Sequence, residues 1–380
     1  MIPGYTSDIN KFNWEEIFKN YPWVQDMRGV PQDSIHHMEG HVETHTRMVV
    51  ESLISDSEFN SDSFTEEERQ LLFVSALLHD VEKRSTTFEE DGRIVSPGHA
   101  KKGEKTARLI LYRDIPIPFL QREKIAKLVR YHGLPLWVLE KPNPNKAIIE
   151  SSLYVKNSLI HELAEADING RICQDANELF DRLDLFRELA MDNKCWMQSK
   201  EFPSTLARHE YFAKDECYPD YDPFDDKKCE VYVMCGFPGT GKDYFIEHNL
   251  PDLPVLSLDA LRLKMKIKPD DTSGTGQVIQ QAKETAKEYL RKHQSFIWNG
   301  TNLTRQVRQQ PIDLCASYGA KVKLIYLEVP YKRLKHQNLN REYPVKEEIL
   351  ERFINKLEMP HIFEAHDVEY IVEGEKQNIL

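Results

Sequence analysis

The segment GFPGTGKD, residues 236–243, separates Gly236 from Gly241-Lys242 by four residues. Glycines at that spacing let a backbone fold around a triphosphate, so that N–H groups and the start of a following helix point at its oxygens. A lysine there reaches the β- and γ-phosphates as a point charge. The stretch follows the β-rich run EVYVMC and precedes a helical pattern. That context predicts nucleotide binding by Gly236, Gly239, Thr240, Gly241, Lys242 and Asp243. One letter departs from the pattern. The residue after the lysine is ordinarily Ser or Thr, whose hydroxyl ligates Mg²⁺, and here it is Asp243. A carboxylate is still an oxygen ligand for a hard cation, but it adds repulsion against the phosphates.

A second set of residues suits metal-assisted hydrolysis. The segment EEERQLLFVSALLHDVEK reads as a buried helix ending in His79-Asp80. Upstream lies HVETHTRMVVESL, and downstream come SPGHAKKGEKTARLI, VRYHGLP and LAEADINGR, each with His or Asp inside or beside an apolar helical pattern. Imidazole and carboxylate together are the ligand set of a hydrolytic metal centre. Two cations about 3.5–4 Å apart would clamp a phosphate ester and bring a bound water's pKa near neutrality. His37, His41 and His45 are spaced by four and would share a helix face. Lys83, one turn after the His-Asp pair, is placed either to neutralise a phosphate or to sit in solvent.

The series resembles the HD-domain phosphohydrolases, all-helical enzymes with ligands in the order H…HD…H…H…D, over about residues 30–175. The resemblance implies His45 as first ligand, with His41 the runner-up, then His79, and Asp80 as the carboxylate able to bridge two metals. It implies His99 and His132 as the extra pair of two-metal members and Asp167 as the closing ligand. His37 is then a candidate contact to substrate phosphate, while His36 and His161 read as structural. The metal is left open among Mn²⁺, Fe²⁺, Co²⁺, Ni²⁺ and Zn²⁺, because affinity order alone does not select among them.

These residues need two different scaffolds. Before DECYPDYDPFDD, residues 215–226, long apolar-periodic segments read as helices; after it, short β-branched runs alternate with helical ones. The expected organisation is therefore an all-α domain, residues 1–222, followed by an α/β P-loop domain with a parallel sheet, residues 227–380. At 380 residues each part can bury its own core. From Asp225 onward 23 Lys and Arg balance 23 Asp and Glu, so the whole net charge of −12 lies in residues 1–224. Such an acidic surface argues against tight non-specific duplex binding. No apolar run approaches the roughly 20 residues of a membrane span, and the start MIPGYTSDIN lacks a secretory layout. Six scattered cysteines without a C-x-x-C pair suggest reduced thiols and a cytoplasmic setting.

In the second part, VLSLDALR reads as a strand ending at Asp259 with Arg262 three residues on, at the strand edge where γ-phosphate and acceptor meet. An acid there can deprotonate an attacking hydroxyl, though it can also cap a helix. SFIWNGTN and KVKLIYLEVP read as further strands, and YKRLKHQNLNREYPVKEEILERFINKL as a basic helix followed by an acid-rich one. Residues 229–360 resemble the 5′-hydroxyl polynucleotide kinases. That resemblance implies Asp259 as the group activating the 5′-OH, Arg262 as the contact to a nucleic-acid phosphate, and Arg341 as a lid arginine on the ATP phosphates. An earlier lid arginine is replaced by Gln337, for which Arg333 or Lys335 are stand-ins. Asn299, Thr301 and Asn302 lie at the mouth of a strand, and Arg305 and Arg308 are candidates for a phosphate backbone or for solvent.

The fusion resembles the HD-Pnk family of bifunctional end-healing enzymes. It implies hydrolysis of 2′,3′-cyclic phosphate and 3′-phosphate ends by the first domain and transfer of a γ-phosphate to a 5′-OH by the second. Expected cofactors are two transition-metal ions in the first domain and Mg²⁺ with ATP or GTP in the second. Expected partners are RNA or DNA ends and a downstream ligase, with no membrane. The alternatives are a hydrolase of free nucleotides with the P-loop as ATP sensor, or a kinase of small molecules.

Overall fold

The computed structural model describes residues 12–268 and 271–379; the amino-terminal stretch considered above for secretion lies outside them. The chain divides into two compact units that part at Lys200 and Glu201. No helix among the described residues is long and apolar enough to cross a membrane.

The first unit is helical apart from one hairpin, in which β1 (Phe88–Glu90) pairs antiparallel with β2 (Arg93–Val95). Asp91 and Gly92 both take positive φ in its two-residue turn, the conformation such tight hairpins need. The helix Glu66–Leu78 sits at the centre. Thr65 and Glu68 close its start as a capping box, and Leu71 through Leu78 are all buried. Each large apolar side chain sunk there contributes roughly 1.5–3 kcal/mol, enough to hold the buried polar pair that follows it, His79-Asp80. The helix Asn157–Asn169 crosses the helix Val42–Ser55 closely. A Cβ on Gly170 would lie 2.6–2.8 Å from Val49 side-chain and backbone atoms, so only glycine permits that approach.

The second unit is a six-stranded sheet in the order β4-β5-β3-β6-β7-β8. Its strands are β3 (Cys229–Cys235), β4 (Val255–Ser257), β5 (Phe296–Asn299), β6 (Ala320–Glu328), β7 (Asp367–Val372) and β8 (Glu375–Gln377). The first five run parallel and β8 returns antiparallel. β5 is buried throughout and the C-terminal parts of β3 and β6 are continuous buried runs, as expected for strands covered on both faces. Met234, Ile246, Ile297, Ile325, Leu327 and Ile371 form one core cluster of this unit.

Helix Thr205–Ala213 is part of the second unit although it precedes the Pro/Asp-rich segment. Phe212 stacks on Phe363 with ring centroids 4.0 Å apart, and His209 Nδ1 bonds to the Phe363 carbonyl at 2.9 Å. The strand expected to end at Asp259 stops at Ser257, whose hydroxyl caps the helix Leu258–Met265. Asp259 therefore lies in the first turn of that helix and is not its cap.

Candidate metal centre and nucleotide loop

In the first unit, helix ends deliver the histidines. His79 and His132 directly follow the helices Glu66–Leu78 and Phe119–Tyr131, and His99 opens the helix His99–Leu109. In each, Nδ1 bonds to the carbonyl three residues earlier: His79 to Ala76 at 2.7 Å, His99 to Ser96 at 2.7 Å, His132 to Val129 at 2.8 Å. Two of those carbonyls belong to last turns, which lack partners within the helix. The ring is thereby fixed and the tautomer set, leaving Nε2 as an electron-pair donor.

Those donors converge on Asp80. Its Oδ2 lies 3.2 Å from His79 Nε2 and 3.7 Å from His45 Nε2; its Oδ1 lies 3.4 Å from His99 Nε2 and 3.9 Å from His132 Nε2. One carboxylate thus faces two histidine pairs, each with its Nε2 atoms 3.4 Å apart. Asp167 Oδ1 stands 3.0 Å from His45 Nε2. Asp80, His79, His45 and Asp167 are almost wholly buried. Asp80 Oδ1 is buried without a hydrogen-bond partner, which costs free energy unless something positive meets it. An orphaned carboxylate oxygen facing imidazole Nε2 atoms fits divalent cations.

Burial alone would raise the Asp80 pKa, but Lys83 Nζ at 2.7 Å and the neighbouring histidines hold it well below the usual carboxylate range. Burial would likewise raise Asp167, and the Arg171 guanidinium paired with it holds it low. Burial pushes His132 down to about 3, so its imidazole is neutral and able to ligate. Lys83 is buried and shared between Asp80 and Gln32, the latter at 2.8 Å, so it is not a solvated lysine.

The remaining histidines separate cleanly. His41 is exposed and stands just before the helix Val42–Ser55 without a side-chain capping bond, whereas His45 points into the cluster. His36 is exposed against Asp175, and His161 packs edge-on against Trp196. His37 is buried and bonds through Nδ1 to Glu39 Oε1 at 2.8 Å. Glu39, which the sequence reading passed over, also takes the His45 Nδ1 proton at 2.9 Å and the Ile172 N–H at 3.0 Å. Its position two residues after His37 was the only signal available.

In the second unit the glycine-rich loop follows β3. A Cβ on Gly236, at φ 153°, would come within 2.6 Å of the Leu327 carbonyl oxygen, so the close packing of loop on β6 needs a glycine. Thr240 is buried with its hydroxyl on the Phe237 carbonyl at 2.9 Å. Lys242 folds back onto the carbonyls of Gly236 and Phe237, at 3.0 and 2.8 Å. Burial brings it down to about 8; Asp243 and Asp259 oppose that shift and Arg341 adds to it, so all three charges lie within reach of the loop lysine. Asp259 is exposed and pairs with Arg262 at 3.3 Å. Arg262 Nε and Arg341 Nη1 are each buried without a hydrogen-bond partner.

Several neighbours have other roles. Arg308 is fully buried, with its guanidinium against Glu364 at 2.6 and 2.9 Å and against the carbonyls of Asn302 and Glu358, so it meets neither a phosphate backbone nor solvent. Asn302 is buried and donates to the Met234 carbonyl at 2.7 Å. Arg333 is paired with Glu373 and Lys335 with Glu347. Asn299 reaches Asp243, its Nδ2 donating to Oδ1 at 2.7 Å.

Comparison with known families agrees with this division. Residues 42–177 match the HD domain, and residues 231–360 match an AAA domain. A solved structure from Chloroflexus aurantiacus J-10-fl, provisionally named a kinase, is similar over 39% of this chain and 87% of that one, at 18% identity and a TM-score of 0.33. No curated protein matches the chain. The chain thus carries an HD domain followed by an α/β domain with a P-loop, a pairing that supports metal-dependent hydrolysis and nucleotide binding.

Proposed function

We propose that the protein heals broken nucleic-acid ends, with RNA as the substrate: the HD domain removes 2′,3′-cyclic phosphate and 3′-phosphate ends, and the P-loop domain phosphorylates 5′-OH ends. The observation that carries this reading is that one chain holds both a carboxylate between two histidine pairs and a phosphate loop in a unit where Arg262 and Arg341 each keep one buried N–H without a hydrogen-bond partner. Cleavage that leaves a cyclic phosphate and a 5′-OH produces two ends that a ligase cannot use, and these two chemistries correct one end each.

In the hydrolase, His45, His79, Asp80, His99, His132 and Asp167 would hold two divalent transition-metal ions. The ions would supply Lewis acidity toward the phosphate ester and a water acidic enough to lose its proton near neutrality. Around them Ala76, Ser96 and Val129 carbonyls fix the imidazoles, and Lys83 balances the carboxylate charge. Burial of the centre keeps bulk water away from the ligands.

In the kinase, Lys242, Arg262 and Arg341 meet phosphate oxygens. Lys242 leaves the Gly236 and Phe237 carbonyls for a better acceptor, which also restores its full charge. Asp259 takes the proton of the 5′-hydroxyl as that oxygen bonds to the γ-phosphorus and the nucleoside diphosphate departs. We propose that the two activities divide as the compact units do, at Lys200 and Glu201, upstream of the limits 1–222 and 227–380 expected from the sequence.

The test is an RNA bearing a 2′,3′-cyclic phosphate and a 5′-OH, incubated with and without ATP, with both ends read. Asp80→Ala should lose only the 3′ reaction, and Lys242→Ala only the 5′ one. Asp259→Ala should keep nucleotide binding and lose the 5′ reaction. Hydrolysis gated by ATP with no phosphate arriving at the 5′ end would overturn end healing in favour of a nucleotide-sensing hydrolase.

A further inference from the structure

The kinase loop breaks its pattern at Asp243, and the structure provides what the sequence lacks: a partner for the misplaced carboxylate. In P-loop enzymes the nucleotide's Mg²⁺ is held by the loop Ser/Thr hydroxyl together with an aspartate from a neighbouring strand. Here the loop position holds the acid, Asp243, and the end of β5, parallel to and hydrogen-bonded with β3, holds the amide, Asn299. The two touch, Asn299 Nδ2 to Asp243 Oδ1 at 2.7 Å. Because a carboxylate only accepts, that contact fixes the amide orientation. Asn299 is 7% exposed, and its carboxamide oxygen takes no hydrogen bond among the described residues.

Resting on the kinase reading, we infer that Asp243 and Asn299 are an exchanged form of the usual hydroxyl–aspartate pair: the carboxylate ligand for the nucleotide's divalent cation has moved into the loop helix, and a neutral oxygen has taken the strand end. Hydroxyl plus carboxylate carries one negative charge, and so does carboxylate plus carboxamide. The added repulsion that Asp243 alone would bring is therefore offset by the missing aspartate at position 299.

Two hydroxyls of the neighbouring elements have partners of their own. The Thr240 hydroxyl is on the Phe237 carbonyl, and the Ser257 hydroxyl accepts from Ala260 N–H. The Lys242 ammonium hydrogen-bonds to the Gly236 and Phe237 carbonyls, so its contact with Asp243 is one of charge and not a hydrogen bond. Asp243 lies in the first turn of the helix Lys242–Asn249, where the helix dipole favours a negative group.

The exchange makes a reciprocal prediction. Asp243→Ser removes the only carboxylate of the pair, and Asn299→Asp sets two carboxylates against each other. The double variant Asp243→Ser/Asn299→Asp rebuilds the usual arrangement. Equilibrium binding of a fluorescent ATP analogue to the full-length protein, in Mg²⁺ and in EDTA, reads the cation's contribution as a ratio of dissociation constants. That ratio should fall at least tenfold in each single variant and return to within about threefold of wild type in the double. Thermal melts of each variant, with Asp243→Asn as an isosteric control, separate misfolding from lost cation binding. A double variant whose loss is the product of the two single losses, or an Asp243→Ser protein with the wild-type ratio, overturns the exchange while leaving the kinase reading standing. Wild-type protein that binds no nucleotide in Mg²⁺ overturns both.

Discussion

Glu39 offers the sharpest test of how the metal centre is held. Its side chain is almost wholly buried, and its two oxygens meet three donors: His37 and His45 Nδ1–H on Oε1, at 2.8 and 2.9 Å, and the Ile172 N–H on Oε2 at 3.0 Å. Burial alone would raise its pKa, and these three donors hold it far below the ordinary range, so the group is ionised. Glu39→Gln keeps the shape but turns one oxygen into an amide nitrogen. Whichever way the amide sits, at least one buried N–H then faces another donor, at a cost of about 1–3 kcal/mol. If the Nδ1 side takes that cost, His45 loses the carboxylate that sets its tautomer and basicity, and metal affinity should fall about 10–100-fold. The assay is competition between protein and a chelator for Mn²⁺ or Zn²⁺, alongside thermal melts in EDTA. A purely structural role would lower the melting temperature equally with and without metal. Glu39→Gln that binds metal within threefold of wild type would refute the assignment of Glu39 as the residue positioning His45.

Two further outcomes concern stability. Arg308→Met should destabilise the P-loop unit by about 3–5 kcal/mol, because it breaks a fully buried ion pair and leaves the Glu364 carboxyl without its guanidinium; denaturant titration followed by far-ultraviolet circular dichroism measures it. Glu162, buried in the helix Asn157–Asn169, is raised to about 8 by burial and by the nearby Asp56, Glu165 and Glu58. A carboxyl with a raised folded-state pKa binds its proton more tightly when folded. Between the ordinary carboxyl value of 4.5 and about 8 the folded state therefore carries more protons, and stability falls as pH rises through that window, by at most about 1.4 kcal/mol per unit. Glu162→Gln should flatten this dependence and raise the melting temperature at pH 8; an unchanged slope would reject it.

The fold was legible where one physical rule dominates. Apolar helical periodicity marked the core helices of the first unit, and β-branched runs after the glycine-rich loop marked a parallel sheet because strands covered on both faces have no polar side to show. What escaped was set by partners distant in sequence. The hairpin at 88–95 is short, polar and exposed, so it carries almost no alternation to read. β7 and β8 lie beyond residues 231–360, which match the AAA domain, and are recognisable only by pairing with β6 and with each other. Arg308 looked like a surface arginine because nothing local reveals Glu364, 56 residues away. Glu39 was hidden for the same reason, since two of its three donors, His45 and Ile172, come from elsewhere in the chain.

The case of position 243 shows why such gaps cluster at sites. Read along the chain, Asp243 is a defect: an acid where phosphates must sit, with nothing adjacent to offset it. Strand order changes that reading. β5 follows β3 by more than sixty residues in sequence yet pairs with it directly, and that pairing brings Asn299 to within a hydrogen bond of Asp243. A pattern restricted to consecutive residues records the loop half of a two-part ligand set and scores the exchange as a loss. The same holds for Asp80, whose two oxygens serve histidines from three other helices and which, on the sequence alone, is one acid at a helix end. In both sites the chemically decisive quantity is the charge summed over groups that meet only after folding. Variants that conserve that sum should therefore be tolerated better than variants that conserve residue type at either position alone.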